Sequence, residues 1–242
     1  MALEIGFGMG EATALMAAED PDTGILAVDV HTPGQGNLLG LADRLGLDNV
    51  RVANGDAIIL LREMLAPEAL ASLRVYFPDP WPKTRHHKRR LIQPDFLSLA
   101  APRLAPGALL HCATDWEPYA EQMHDVLSAH PAFENTVELP GAAVEGTDGV
   151  VRHGYAPRPA FRPRTRFEGQ GLDKGHVVHD LLFRKVAELP RADRAGRHPR
   201  VTRWTGTDAT GAQGDKFSRR SVAVFSLVGT NQPSGNWLGS FS

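Results

Sequence analysis

The amino-acid sequence predicts an α/β fold, with a mostly parallel sheet covered by helices on both faces. Strand and helix patterns alternate from the first residues to about residue 130, the arrangement in which helical crossovers join parallel strands. The first apolar run stops in a glycine-rich turn and gives way to an alanine- and leucine-rich helix pattern. The run at 25–30 reads as a buried strand and carries its acidic residue, Asp29, at the end.

The elements follow in order. Leu3 and Ile5 lie in a short strand that ends at Gly6, Gly8 and Gly10, and residues 12–18 form a helix. After the strand at 25–30, a helix over 34–47 is closed by Gly46. A short strand at 50–53 precedes Asp56, which is placed to cap a helix over 57–65. A strand at 73–77 is cut off by Pro78 and Pro80. A basic loop, a helix near 95–101 and a strand at 108–114 come next. In 116–129, Trp116, Tyr119, Met123, Val126 and Leu127 recur at helical spacing and predict one apolar face. Residues 140–175, rich in proline, glycine and arginine, read as a long functional loop, and 176–186 as a closing strand. Residues 1–189 thus make one domain. Residues 190–242, apart from an apolar island at 222–228, read as a mostly disordered tail. The first strand begins almost at Met1 with nothing before it to shield it, so that either an upstream segment belongs to it or the fold tolerates a very short leading strand.

Length and composition bound the class. A chain of 242 residues, 42% hydrophobic and 22% charged, matches an ordinary globular protein. It has no apolar run long enough for a membrane span and no signal-peptide pattern. The single cysteine, Cys112, rules out an internal disulfide and points to a reducing compartment, the cytoplasm. A net charge of −2 leaves nucleic-acid binding open, because basic residues are clustered.

The glycine turn, spaced G-x-G-x-G, allows close backbone approach to a ligand, though alone it is only a tight turn. Glu11 stands where a dinucleotide fingerprint would place its third glycine, which disfavours a pyrophosphate. Asp29 is placed to accept ribose hydroxyls. Asp56 can sit beside an adenine ring or serve only as a helix cap. Glu4 is a carboxylate inside a short strand, and a cationic ligand would pair it. S-adenosylmethionine, with ribose hydroxyls, an adenine amino group, positive centres and no phosphate, meets these requirements.

Two prolines fix Asp79 at the end of the fourth strand, and Trp81 offers a flat face to a base or a cofactor. Lys83, Arg85, Lys88, Arg89 and Arg90, with His86 and His87, follow at once. Such a run is often a mere solvated face; beside a rigid turn and an aromatic, it suits a nucleic-acid backbone with an unstacked base. Arg158, Arg162, Arg164 and Arg166 alternate with prolines and aromatics. Arginine there would hold phosphates or stack on bases. Glu168 would accept from the Watson–Crick edge of guanine or join a structural Arg–Glu network. Asp115 opens a helix at the carboxyl end of a strand, as a site residue or as its N-cap. The histidines lack metal-ligand spacing, so no metal is expected.

Together these motifs closely resemble the bacterial tRNA (guanine-N7)-methyltransferases of the TrmB type. The matching stretches are 3–10, 28–34, 77–93, 113–120 and 158–168, in the family's order, and the likeness runs to about Lys185. Phe-Pro-Asp-Pro-Trp followed by Arg-His-x-Lys-Arg-Arg is the most specific of them. The resemblance implies a Rossmann-like class I methyltransferase fold, with seven strands and the last antiparallel. It implies methyl transfer from S-adenosylmethionine to N7 of a guanine in the tRNA variable loop. By the same resemblance Glu4, Gly6, Gly8, Asp29, Asp56 and Asp79 contact S-adenosylmethionine, and Asp79 has the catalytic role. Lys83, Asp115, Thr165, Arg166, Phe167 and Glu168 contact the tRNA. No membrane or protein partner is implied. Asp29 stands where the family usually has Glu, Arg166 where it usually has Lys, and the family's upstream segment is absent. Other readings are a methyltransferase for another nitrogen in RNA or protein, a nicotinamide oxidoreductase, and an inactive truncated RNA-binding homologue.

Overall fold

A computed structural model describes residues 1–137, 143–145, 151–164, 168–169, 175, 177–186 and 224–226. Its central sheet is built from β1 (Ala2–Ile5), β2 (Ile25–Asp29), β3 (Val50–Asn54), β4 (Leu70–Tyr76), β5 (Leu104–Thr114), β6 (Phe133–Asn135), β9 (His179–Lys185) and β10 (Val224–Ser226). The order across the sheet is β10-β3-β2-β1-β4-β5-β9-β6. The first five strands are parallel, while β9 runs antiparallel to β5 and to β6. This is the expected mostly parallel sheet with an antiparallel closing strand, with eight strands where seven were expected, β10 being the addition. The apolar island in the tail supplies β10, which pairs with β3 at the edge; the rest of 190–242 lies outside the described residues.

Alternation along the strands separates two cores. Leu3 and Ile5 of β1 join Leu73, Val75, Leu110 and Cys112 on one face, against α3 (Ala57–Ile59), α4 (Pro94–Ala100) and α5 (Glu117–Ala129). Ala2 faces the other way, with Tyr76 and Ala113, against α1 (Glu11–Glu19) and α2 (Thr32–Leu45). All four residues of β1 are buried, as expected of a central strand covered on both faces.

Several elements differ from the sequence reading, each for a local reason. The helix after Asp56 keeps α geometry only to Ile59 and widens into a π turn over Leu60–Met64. Arg103 takes the carbonyls of Leu61 and Arg62 there. The basic loop contains a 3-10 helix, Thr84–Arg89. Strand β5 starts earlier than expected, with a register break between Leu70 and Ser72 of its partner that accommodates Pro106 and Gly107. Trp116 is exposed and stands outside α5, so Tyr119, Ala120, Met123 and Leu127 carry the buried face. The functional loop is not wholly irregular: β7 (Ala143–Glu145) and β8 (Val151–His153) form an antiparallel pair. Strand β6 was not foreseen, being only Phe133, Glu134 and Asn135, too short for any periodic signal. His176 lies outside the described residues.

Candidate active site

The parallel strands deliver their following residues to one edge of the sheet. The strand order reverses at β1, which has β2 on one side and β4 on the other. Such a switch point opens a crevice beyond the carboxyl ends of the strands. The glycine turn, Asp29, Asp56, Asp79 and Asp115 all fall at this edge.

The glycine turn is held in a conformation that other residues rarely adopt, with φ of +76° at Gly6, +58° at Gly8 and +77° at Gly10. It is tied to the next strand by side chain as well as backbone. The Gly8 amide donates to Asp29 Oδ2 at 3.0 Å, and the His31 amide donates to Oδ1 at 2.9 Å. Two N–H groups thus fix the carboxylate's plane and leave lone pairs for a diol. Gly34 lets the first turn of α2 come against this loop, because a β-carbon on it would lie 1.8 Å from the Gly8 carbonyl oxygen.

Glu4 is 3% exposed, between Ala27 of β2 and Arg74 of β4. Burial pushes its carboxyl up from 4.5 to about 7; the Thr13 hydroxyl and Arg74 oppose that rise, and Asp29 adds to it. Among the described residues its Oε2 has no hydrogen-bond partner. A buried carboxylate oxygen with an open valence beside a ribose-type acceptor suits a ligand carrying both positive charge and hydroxyls. Asp56 does cap α3: its Oδ1 accepts from the Ile58 amide at 2.8 Å. The cap occupies that oxygen and leaves the carboxylate exposed at the crevice.

Asp79 is exposed at the tip of a strained turn. Phe77 has φ +50° and Trp81 φ +44°, bracketing Pro78-Asp79-Pro80. Left-handed backbone at aromatic residues costs about 1–3 kcal/mol each and persists where neighbours enforce it. Here the Phe77 amide donates to the Ala113 carbonyl at 2.7 Å, and Arg90 Nε donates to the Pro80 carbonyl at 2.8 Å. The strain at Phe77 and Trp81 has no sequence signature beyond the flanking prolines.

The basic segment divides into two classes. Lys83, Arg85, Lys88 and Arg89 are exposed, with Arg89 4.9 Å over the Trp81 ring. Arg90 is buried: it also donates to Gln122 and lies 4.8 Å over the Tyr119 ring. It is an internal brace of the turn, a correction to its reading as part of a cationic surface. Asp115 is half-buried, and the N-cap of α5 is Trp116, so Asp115 is not the cap.

The arginine–proline segment is similarly mixed. Arg158 and Arg164 are exposed, whereas Arg162 is buried between Glu168 and Asp180. Glu168 is buried and its two oxygens accept from Arg162, so the Arg–Glu network foreseen as one of its readings is present. Thr165, Arg166 and Phe167 lie outside the described residues. Asp180 and His111, in the same buried network, carried no sequence signal.

A family model described as "Putative methyltransferase" matches residues 1–181. The chain is 74% identical over 200 residues to a tRNA (guanine-N(7)-)-methyltransferase of Streptomyces avermitilis, covering 83% of this chain and 64% of that protein. It is 77% identical over 184 residues to the protein of that name from Streptomyces coelicolor, covering 76% and 63%. The one from Nitrosospira multiformis is 52% identical over 183 residues, covering 76% of this chain and 73% of that protein. The chain therefore spans less than two thirds of the length of its two Streptomyces relatives. Strand order, glycine turn, Pro-Asp-Pro turn and these identities coincide in one conclusion: the chain belongs to the family of the tRNA (guanine-N7)-methyltransferases.

Proposed function

We propose that this chain transfers a methyl group from S-adenosylmethionine to N7 of a guanine in tRNA, in the variable loop. The observation that carries the reading is Glu4, a buried carboxylate with one oxygen that no described residue bonds, beside the Asp29-bound glycine turn. That pairing fits the ammonium-bearing, diol-bearing and phosphate-free cofactor. The names of the curated relatives supply the nucleotide and the atom.

When bound, S-adenosylmethionine supplies an electrophilic methyl group on sulfur. Guanine N7 has an available lone pair at neutral pH, so the protein need not remove a proton first. Its residues must instead bind, align and stabilise charge. Glu4, the turn of Gly6 and Gly8, Asp29 and Asp56 hold the cofactor. Asp79, fixed by its two prolines and the braced turn, faces the positive charge that develops on the purine's imidazole ring. Lys83, Asp115, Thr165, Arg166, Phe167 and Glu168 meet the tRNA. Among the described residues no group of three or more His, Cys, Asp or Glu is placed to hold a metal ion. A reducing cytoplasm suits a chain whose one thiol, Cys112, is buried. Among the described residues no helix is long and apolar enough to cross a membrane.

The decisive experiment incubates the purified chain with unmodified tRNA and methyl-labelled cofactor, digests the RNA and maps the methylated atom by mass spectrometry. 7-Methylguanosine is the expected product. Methylation of another nitrogen, or none, overturns the proposal. A chain that also fails calorimetric titration with the cofactor would be an inactive RNA-binding homologue.

A further inference from the structure

Arg162 has the surroundings of a joint, although it lies in a segment whose other described arginines are exposed. The residue is 1% exposed. Nε and Nη2 donate to the two oxygens of Asp180 on β9, at 2.8 and 2.9 Å. Nη1 and Nη2 donate to the two oxygens of Glu168, at 2.7 and 3.1 Å. Its ζ carbon stands 5.8 Å from the centre of the Phe77 ring and 5.9 Å from that of Tyr76. One planar cation thus touches the closing strand, the far flank of the arginine–proline segment, and the strained residue from which the Asp79 turn leaves β4.

The sheet side of this joint is fixed from behind. His111 Nε2 lies 2.7 Å from Asp180 Oδ1, and its Nδ1 lies 3.0 Å from the Tyr76 hydroxyl. Burial holds the imidazole below its ordinary proton affinity, against the pull of Asp180. In the neutral ring Nε2–H donates to Asp180 while Nδ1 accepts from Tyr76. Asp180 therefore has a set orientation, and the guanidinium's two forks transmit it to Glu168. A planar fork fixes orientation as well as distance, which an ammonium cannot do.

We propose that Arg162 is a positioning residue for methyl transfer, a three-way clamp that sets Glu168 and its own segment of residues 158–164 relative to the turn bearing Asp79. It acts through Glu168 and Phe77 and touches no reacting atom. The inference rests on the proposed function, since it concerns the same site. Misplacing a reacting group by about 1 Å can cost about 100-fold in rate, so such a clamp has a measurable signature.

The test is Arg162→Lys, which keeps the charge and removes the forks. Single-turnover methylation at saturating tRNA and cofactor should fall about 100-fold, with cofactor affinity within about twofold of wild type and a smaller change in tRNA KM. Amide hydrogen exchange should quicken at both 158–164 and 77–81 while the glycine turn stays as protected as before. An unchanged rate overturns the proposal, as does a rate loss matched by equal loss of cofactor affinity. Should the lysine variant fail to fold, Asp180→Asn weakens the same clamp from the sheet side, and the same split between rate and cofactor affinity is expected of it. Wild-type protein that methylates nothing would sink the tRNA reading instead. The exchange comparison would still decide on the clamp, which falls if 77–81 exchanges at the wild-type rate.

Discussion

A β-carbon on Gly34 would stand 1.8 Å from the carbonyl oxygen of Gly8, so only a hydrogen atom fits between α2 and the glycine turn. The contact joins the glycine turn after β1 to the helix that follows β2. Gly8 donates to Asp29, and α2 begins three residues after Asp29. The position of the turn is therefore set by the helix behind it as much as by its own backbone.

Gly34→Ala should displace the turn, because the atom it meets is backbone and cannot swing aside. Overpacking of this kind costs about 1–3 kcal/mol. S-adenosylmethionine affinity should drop at least about tenfold, equivalent to about 1.4 kcal/mol. Gly36→Ala, whose β-carbon meets nothing within 4 Å, serves as the control and should bind normally. Equal affinity in the two variants, measured by calorimetry, would show that the turn does not depend on α2.

Glu4 makes a second expectation, in which stability and binding move in opposite directions. Burial raises its carboxyl from 4.5 to about 7, so the folded state holds the proton more tightly than the unfolded one. Stability of the ligand-free protein should fall as pH rises between those values, by about 3 kcal/mol in all. Glu4→Gln should abolish that slope, match wild type near pH 4 and exceed it above pH 7 in denaturant titrations. The same substitution should weaken cofactor binding strongly. Tight binding by the glutamine variant would remove Glu4 from the site.

How much of this was visible beforehand depended on the range of the interaction. Strand β1, its glycines and Asp29 were legible because a short apolar run, a turn chemistry and one acidic position lie close together in sequence. The Asp79 turn was legible from Pro78 and Pro80, but the positive φ at Phe77 and Trp81 was not, since the hydrogen bonds that enforce it come from Ala113 and Arg90. Arg90 looked like its neighbours because its burial is decided by Tyr119 and Gln122 on α5. The clamp was hidden for the same reason: Asp180 is 18 residues from Arg162, and His111 is 69 from Asp180.

Asp79→Ala should separate chemistry from binding. The carboxylate is exposed at the tip of the turn, and Phe77 and Trp81 keep their own anchors without it. On the proposed role, loss of this charge should cost about 10²–10³ in turnover, whereas cofactor affinity should change much less. Near-normal turnover in single-turnover assays would withdraw the catalytic assignment.

Lys83 and Arg90 should respond to mutation in opposite ways despite lying in one basic run. Lys83 is exposed, so Lys83→Ala should leave the melting temperature unchanged and lower the steepness of the salt dependence of tRNA binding by about one counterion. Arg90 is buried against Tyr119 and holds the Pro80 carbonyl. Arg90→Met would strand that acceptor and Gln122 Oε1, at about 1–3 kcal/mol of stability, while the salt slope stays as it was. Binding isotherms at several salt concentrations, paired with thermal melts, measure both. If Arg90→Met flattened the salt dependence and left stability intact, the arginine would be meeting phosphate, and its role as the brace behind Asp79 would have to be abandoned.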